Sequence, residues 1–357
     1  MIKLLIVDDS ALMRRQLSAI FEAEADFEIR LARNGREALE ENCAFQPDVI
    51  TLDINMPEMD GLTALSMMMA ERPVPVVMIS SLTEKGALAT FEALNLGAID
   101  YVVKPGGTIS LSLDAIGASI VSKVRMASKV RMKPARKAAP RQVEPRILPV
   151  AAIAAPRPPV LRRSAGRNGV VVIGVSTGGP RTLELILPSL PANFPWPVLV
   201  AQHMPASFTL TFAQRMNGLC AMQVVEASRP MILEPGTIYI AKGGADMQVV
   251  RRDGKPSVIV KPENPGFLWH PSVEVLGRSV LEHYDAAHVL AVMLTGMGCD
   301  GADAFAEIRK RGGRTIAESE ESAVVFGMPA ELIKRGGASV TLHAEKIALQ
   351  INSWIEC

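Results

Sequence analysis

Two groups of residues carry types and spacings suited to chemistry. The first begins at Gly174-Val175-Ser176-Thr177-Gly178, a G-x-S-x-G pattern that can lift a serine hydroxyl clear of a sheet on a sharp strand-to-helix turn. A nucleophilic serine needs a base and a group to orient it. His203 closes the run PVLVAQH, and Asp300 follows HVLAVMLTG in the tight sequence Met297-Gly298-Cys299-Asp300-Gly301. The second group is acidic: Asp8 and Asp9 after LLIV, and Asp53 after DVITL. Crowded carboxylates repel unless a cation neutralises them, and a few of them with water suit Mg²⁺. Ser80 and Lys104 end two further runs, adding a hydroxyl and a point charge that fit phosphate oxygens.

Taken alone, the G-x-S-x-G turn has other readings. A glycine-rich strand-to-helix turn also cradles dinucleotide phosphates, but GVSTGG lacks the GxGxxG spacing and no acidic strand end follows about 20 residues on. A purely structural turn also fits. The remaining histidines offer less. His270 opens HPSVEVL and is placed to line a cleft, His283 and His343 read as surface residues, and His288 opens a strand.

Positioning these groups requires parallel sheets. LLIVDD (4–9), FEIRLA (27–32), DVITLD (48–53), VVMIS (76–80) and YVVKP (101–105) are short apolar runs separated by amphipathic stretches. That alternation predicts a parallel sheet covered on both faces, doubly wound in the flavodoxin-like order, with ligands beyond the carboxyl ends of its strands. A second α/β domain with a mostly parallel sheet is expected from GVVVIGVSTGGPRTLELIL (169–187) onward. There Ser176, His203 and Asp300 each terminate a strand. Their chain order differs from the Ser, Asp/Glu, His order of α/β-hydrolases.

The charge divides the chain. Residues 1–122 carry 9 basic and 18 acidic side chains, residues 123–168 carry 13 basic and one acidic, and residues 169–357 carry 16 and 18. The middle segment also holds seven prolines and no aromatic residue. Proline and self-repelling charge keep a chain extended, so three parts are expected: a domain over 1–122, a flexible basic linker over 123–168 and a domain over 169–357. Cys43, Cys220, Cys299 and Cys357 form no CxxC pair, which excludes a readable zinc site or disulfide framework. No histidines stand in HExxH spacing, against a metalloprotease. Aromatics at 4% make base stacking a poor expectation. No run reaches the ~18 apolar residues of a membrane helix, and the N-terminus lacks a signal peptide's apolar stretch, so a cytoplasmic chain without membrane insertion is expected.

VDDS (7–10), LDINMPEMDG (52–61), MISS (78–81) and DYVVKP (100–105) resemble the response-regulator receiver domain. The resemblance implies phosphorylation of Asp53 by a partner histidine kinase, Mg²⁺ held by Asp8, Asp9 and Asp53, phosphate contacts from Ser80 and Lys104, and Tyr101 at the aromatic switch position. VIGVSTGGP (172–180), QHMPASFTLTFAQR (202–215), HPSVEVL (270–276), LTGMGCDGA (294–302) and VVFGMP (324–329) resemble the chemotaxis protein-glutamate methylesterase (CheB) family. This implies hydrolysis of γ-glutamyl methyl esters on chemoreceptors and deamidation of receptor glutamines, without a cofactor for the hydrolysis. By the same resemblance Ser176 is the nucleophile, His203 the base and Asp300 its orienter, with Thr177 and Met297 at the oxyanion positions. YIAKGGADM (239–247) departs from the family, with Lys242 and Asp246 in place of its usual proline and histidine.

The expected protein is therefore a phosphorylation-controlled serine hydrolase of chemotaxis adaptation, its receiver covering the catalytic cleft. A receiver-controlled DNA-binding regulator is the rival from another class. It lacks a helix-turn-helix signature, and the net −2 of residues 169–357 suits DNA poorly, so no nucleic-acid partner is expected. A non-catalytic receptor adaptor is the other rival.

Overall fold

The computed structural model of the chain describes residues 1–80, 83–104, 113–130, 132 and 169–356. In the first domain five strands alternate with five helices: β1 (Ile2–Val7), α1 (Ala11–Glu22), β2 (Phe27–Ala32), α2 (Gly35–Ala44), β3 (Val49–Asp53), α3 (Gly61–Glu71), β4 (Val76–Ser80), α4 (Glu84–Leu96), β5 (Asp100–Val103) and α5 (Leu113–Ala127). The strands pair in parallel in the order β2-β1-β3-β4-β5, which is the flavodoxin-like winding. β3 and β4 are buried at every residue, which is why they read as unbroken apolar runs rather than alternating ones. Ser10, Asn34, Asp60 and Thr83 each accept a backbone N–H bond and start α1 to α4, the usual satisfaction of helix-end donors.

Helix α5 continues to Ala127, so the first five residues of the segment read as linker are helical. A count of basic residues cannot separate free charge from paired charge. Arg125 here bonds Glu24 at 2.8 Å and Asp26 at 2.9 Å, and Lys123 bonds Asp100 at 3.1 Å. Residues 131 and 133–168 of that segment lie outside the described residues, as does Pro105.

The second domain contains β6 (Val170–Val175), α6 (Gly179–Ile186), β7 (Val198–Gln202), α7 (Ala206–Leu219), β8 (Gln223–Ala227), β9 (Met231–Ile232), β10 (Thr237–Ala241), β11 (Asp246–Arg252), β12 (Lys255–Lys261), α8 (Val273–His283), β13 (Val289–Met293), α9 (Ala302–Lys310), β14 (Arg314–Glu318), α10 (Met328–Lys334), β15 (Val340–Leu342) and α11 (Ala344–Glu356). Seven strands form a wholly parallel sheet in the order β15-β14-β13-β6-β7-β10-β8. β11, β12 and β9 form a small antiparallel sheet beside it. His288 ends a short 3₁₀ turn (Ala286–His288) and does not open β13. β6, β7 and β13 are adjacent and central, and fully buried along their length. Their carboxyl ends therefore share one rigid edge.

The domains meet through aromatic packing. Phe91 of α4 lies 5.4 Å from Phe212 and 6.1 Å from Phe208 of α7, ring centre to ring centre. Tyr101 of β5 stacks on Phe208 at 4.8 Å. Asn95 donates to Glu184 at 3.1 Å, and Glu184 is also bound by Arg215 at 2.6 Å.

Candidate active site

Ser176 is the first residue past β6, and the chain then turns through Thr177 and Gly178 into α6. Gly178 has φ +78, a left-handed backbone that side chains with a β carbon resist. The Ser176 N–H donates to Thr295 C=O at 2.9 Å, and its C=O accepts from Gly179 at 2.8 Å and from the Gln202 side chain at 3.0 Å. Gly296 passes so close that a β carbon on it would sit 2.7 Å from the Ser176 Cβ. Glycine is what lets the 294–298 loop reach the serine. Thr295 completes the brace by donating its hydroxyl to Thr177 C=O at 2.8 Å.

His203 follows β7, and Asp300 lies between β13 and α9. Their side chains meet, with His203 Nε2 2.8 Å from Asp300 Oδ2 and the two side chains only 4% and 9% exposed. His203 Nδ1 is buried with no hydrogen-bond partner. Asp300 accepts three more bonds, all from the start of α8: the Ser272 hydroxyl at 2.9 Å, the Val273 N–H at 2.7 Å and the Glu274 N–H at 3.0 Å. Glu274 returns the arrangement, its carboxylate accepting the Ala304 N–H in the first turn of α9 at 3.0 Å. Each helix start is thus capped by an acid belonging to the other, where the helix dipole favours negative charge. Burial pushes the Asp300 carboxyl up, but the His203 bond and charge and the α8 N–H groups outweigh it and hold the group below the ordinary aspartate value.

In the first domain Asp8, Asp9 and Asp53 bring carboxylate oxygens within 4.8 Å of one another. Lys104 Nζ sits 3.0 Å from Asp8 and 2.8 Å from Asp53. Burial raises the Asp53 carboxyl above its ordinary value, only partly opposed by Lys104. Burial alone would lower Lys104, yet the bonds and charges of Asp53 and Asp8 raise it. An acid cluster of this composition fits a small hard divalent cation. The Ser80 hydroxyl is buried, donating to Gly86 C=O at 3.2 Å and lying 2.8 Å from the Thr90 hydroxyl. Tyr101 is buried, its hydroxyl unpartnered, and burial followed by the Asp100 charge pushes its pKa well up.

The first domain touches the second at the residues named for the oxyanion. The Thr177 hydroxyl donates to Asp100 Oδ2 at 2.8 Å. The Ser122 hydroxyl of α5 donates to the Met297 sulfur at 3.4 Å.

The residues expected for hydrolysis and for phosphorylation are all among those described, and they lie in two places: Ser176, Thr177, His203, Met297 and Asp300 in one domain, and Asp8, Asp9, Asp53, Ser80 and Lys104 in the other. Sequence reasoning missed Ser272 and Glu274 as partners of Asp300, although Ser272 before an apolar helical run is a legible helix start. It also missed Asp100, Trp269, Thr295 and Glu318. Glu318 is fully buried, accepting from Thr295 N–H at 2.8 Å and the Ser322 hydroxyl at 2.9 Å. Asp100 and Thr295 lie inside the quoted runs DYVVKP and LTGMGCDGA without having been given a role, and no quoted run contains Trp269 or Glu318.

A winding of the receiver type with an acid pocket, joined to a parallel sheet that presents serine, histidine and aspartate at three neighbouring strand ends, defines a receiver-linked α/β protein of hydrolase geometry. The family model for CheB methylesterase matches residues 171–351, and that for the response regulator receiver domain matches residues 4–113. The chain belongs to the CheB methylesterase family. It is 55% identical to "Protein-glutamate methylesterase/protein-glutamine glutaminase 3" of Rhodospirillum rubrum, over 99% of this chain and 96% of that one. A second relative, of Rhodopseudomonas palustris, is 49% identical over 99% and 98%. The crystal structure of the Thermotoga maritima CheB methylesterase catalytic domain is 37% identical with a TM-score of 0.51, covering 53% of this chain and 100% of that one.

Proposed function

We propose that this chain is a phosphorylation-controlled serine hydrolase that demethylates γ-glutamyl methyl esters of chemoreceptors and deamidates receptor glutamines in the cytoplasm. The observation that carries the reading is the convergence of Ser176, His203 and Asp300 at adjacent strand ends, with His203 held on Asp300 at 2.8 Å. With Nε2 committed to Asp300, Nδ1 is the nitrogen left to take the Ser176 proton. Ser176 Oγ attacks the ester carbonyl as Nδ1 removes its proton, and Asp300 stabilises the resulting imidazolium. Backbone N–H groups at Thr177 and Met297 receive the oxyanion. The C–O bond breaks, methanol leaves with the imidazolium proton, and water activated by His203 releases the glutamate carboxylate. For the amide, ammonia is the leaving group.

Control lies in the first domain, which runs to Ala127 at the end of α5, and the chain beyond it leads to the catalytic domain over 169–357. Asp53 accepts a phosphoryl group from a histidine kinase. Asp8, Asp9 and Asp53 would hold Mg²⁺, which when bound neutralises charge around the phosphoryl oxygens. Ser80 and Lys104 contact the phosphate, and Ser80 must give up its present partners in α4 to do so. Tyr101 stacks on Phe208, so rearrangement around Asp53 bears on the domain contact and shifts a closed-to-open equilibrium. In the closed form the receiver occupies the Thr177 hydroxyl. The test is methanol release from methylated receptor membranes, with and without acetyl phosphate and Mg²⁺. Stimulated release supports the reading; absence of release with or without phosphodonor refutes it.

A further inference from the structure

The catalytic histidine has a cover that the triad reading leaves unused. Trp269 lies flat on the His203 imidazole, ring centres 5.1 Å apart and planes 11° from parallel. It arrives on a strap between β12 and α8 whose residues 262–266 are exposed, and its neighbour Leu268 is 92% exposed. An indole on such a strap has many places to be. What fixes it is the next stretch of chain. His270 Nδ1 lies 3.1 Å from both carboxylate oxygens of Asp246, Asp246 also accepts the Ser272 N–H at 2.9 Å, and His270 C=O accepts the Gly244 N–H at 3.1 Å.

Asp246 is buried, 1% exposed, and a buried carboxylate is costly unless paired. Its pairing pins the chain at both His270 and Ser272. Asp246 and His270 thus form a second carboxylate–histidine pair in the same domain as His203 and Asp300.

We propose that Trp269 is a positioning residue for the catalytic base and that the Asp246–His270 pair is the clamp that holds it there. This rests on His203 acting as the base of Ser176. The indole face restricts the imidazole to the plane that serves both Asp300 and Ser176. Its electron-rich surface also attracts the imidazolium formed during attack. Both effects act on the reacting state, so they fall on kcat and leave receptor binding alone.

The test uses the full-length protein with acetyl phosphate and Mg²⁺, following methanol release against the concentration of methylated receptor membranes. Trp269→Ala lowers kcat about tenfold with KM within about twofold, whereas Trp269→Phe, which keeps a flat ring, stays within about threefold of wild type. Asp246→Ala and His270→Ala each lower kcat, while Asp246→Asn, whose amide oxygen still accepts both bonds, keeps most of it. The double variant Trp269→Ala/Asp246→Ala is no slower than the slower single variant, because both remove one effect. His270→Ala breaks the clamp while Asp246 keeps its bond from the Ser272 N–H, so it serves if Asp246→Ala unfolds. An unchanged kcat in Trp269→Ala, a loss confined to KM, or losses that multiply in the double variant overturn the proposal. Multiplied losses would place Asp246 on Asp300 through Ser272 instead. A wild type that releases no methanol refutes the esterase reading itself, a result distinct from active wild type with indifferent variants.

Discussion

Replacing Phe91 by alanine removes the aromatic side chain that α4 presents to α7. Phe91 makes a tilted contact with Phe212 at 5.4 Å and an edge contact with Phe208 at 6.1 Å, and it is 1% exposed with the domains together. Each aromatic pair contributes about 0.5–1.5 kcal/mol, and burying a phenyl side chain about 1.5–3 kcal/mol. Part of that burial is within α4's own domain, so about 3 kcal/mol is assigned to the contact. At 1.4 kcal/mol per factor of ten, the closed form loses a weight of about 100-fold relative to the open form. Methanol release without phosphodonor should therefore rise to within about twofold of phosphodonor-stimulated wild type, and acetyl phosphate should add little more. Retained phosphorylation of Asp53 checks that the receiver is still folded. A basal rate equal to wild type in a phosphorylatable variant would refute occlusion by this contact, and so would an unreduced stimulation factor.

Three further outcomes are expected. Ser176→Ala abolishes methanol release, and Ser176→Ala with His203→Ala is hardly worse than either alone because triad members act as a unit; independent, multiplying losses would contradict the assignment. Asp53→Asn keeps basal release but gains nothing from acetyl phosphate, and chelating divalent cations removes the wild-type stimulation while sparing the basal rate. Burial raises the Glu318 carboxyl above its ordinary value against the opposing bonds from Thr295 and Ser322, so the stability linked to its proton is full below the unfolded value near 4.5 and is lost as pH rises through the folded value. Glu318→Gln, which still accepts from Thr295, should therefore raise the thermal midpoint at pH 7–8 relative to wild type but not at pH 4; an equal change at both pH values would contradict this.

The strands that carry the chemistry were legible because central parallel strands are buried on both faces and read as unbroken apolar runs. FEIRLA and VVMIS coincide with β2 and β4 to the residue. The ends were less clear: Asp8, Asp9 and Lys104 lie just beyond their strands, since a carboxylate after an apolar run reads the same inside or outside the ladder. Ser176, His203 and Asp300 were legible by residue type and strand-end position. Their supports were not, because the partners of Asp300 are backbone N–H groups of a helix 26 and 27 residues earlier, and backbone donors leave no mark in composition. Nor was the Asp100–Thr177 bond, which joins residues 77 apart on separate domains. The linker boundary erred for a related reason, Arg125 of α5 being partnered by acids about a hundred residues away and Lys123 by one 23 residues away.

A hydroxyl has one proton, and that of Thr177 is given to the receiver's Asp100. A substrate that takes a bond from that hydroxyl competes with Asp100, so under the proposed function its binding and domain opening are thermodynamically linked. Receptor binding then draws the population open by mass action even without phosphate, while its apparent affinity is reduced by the fraction of enzyme that is open. The abundance of methylated receptor thereby becomes an input in its own right, read by the same equilibrium that reads the kinase. Phosphorylation in such a scheme does not turn the enzyme on; it sets the receptor concentration at which the enzyme turns on.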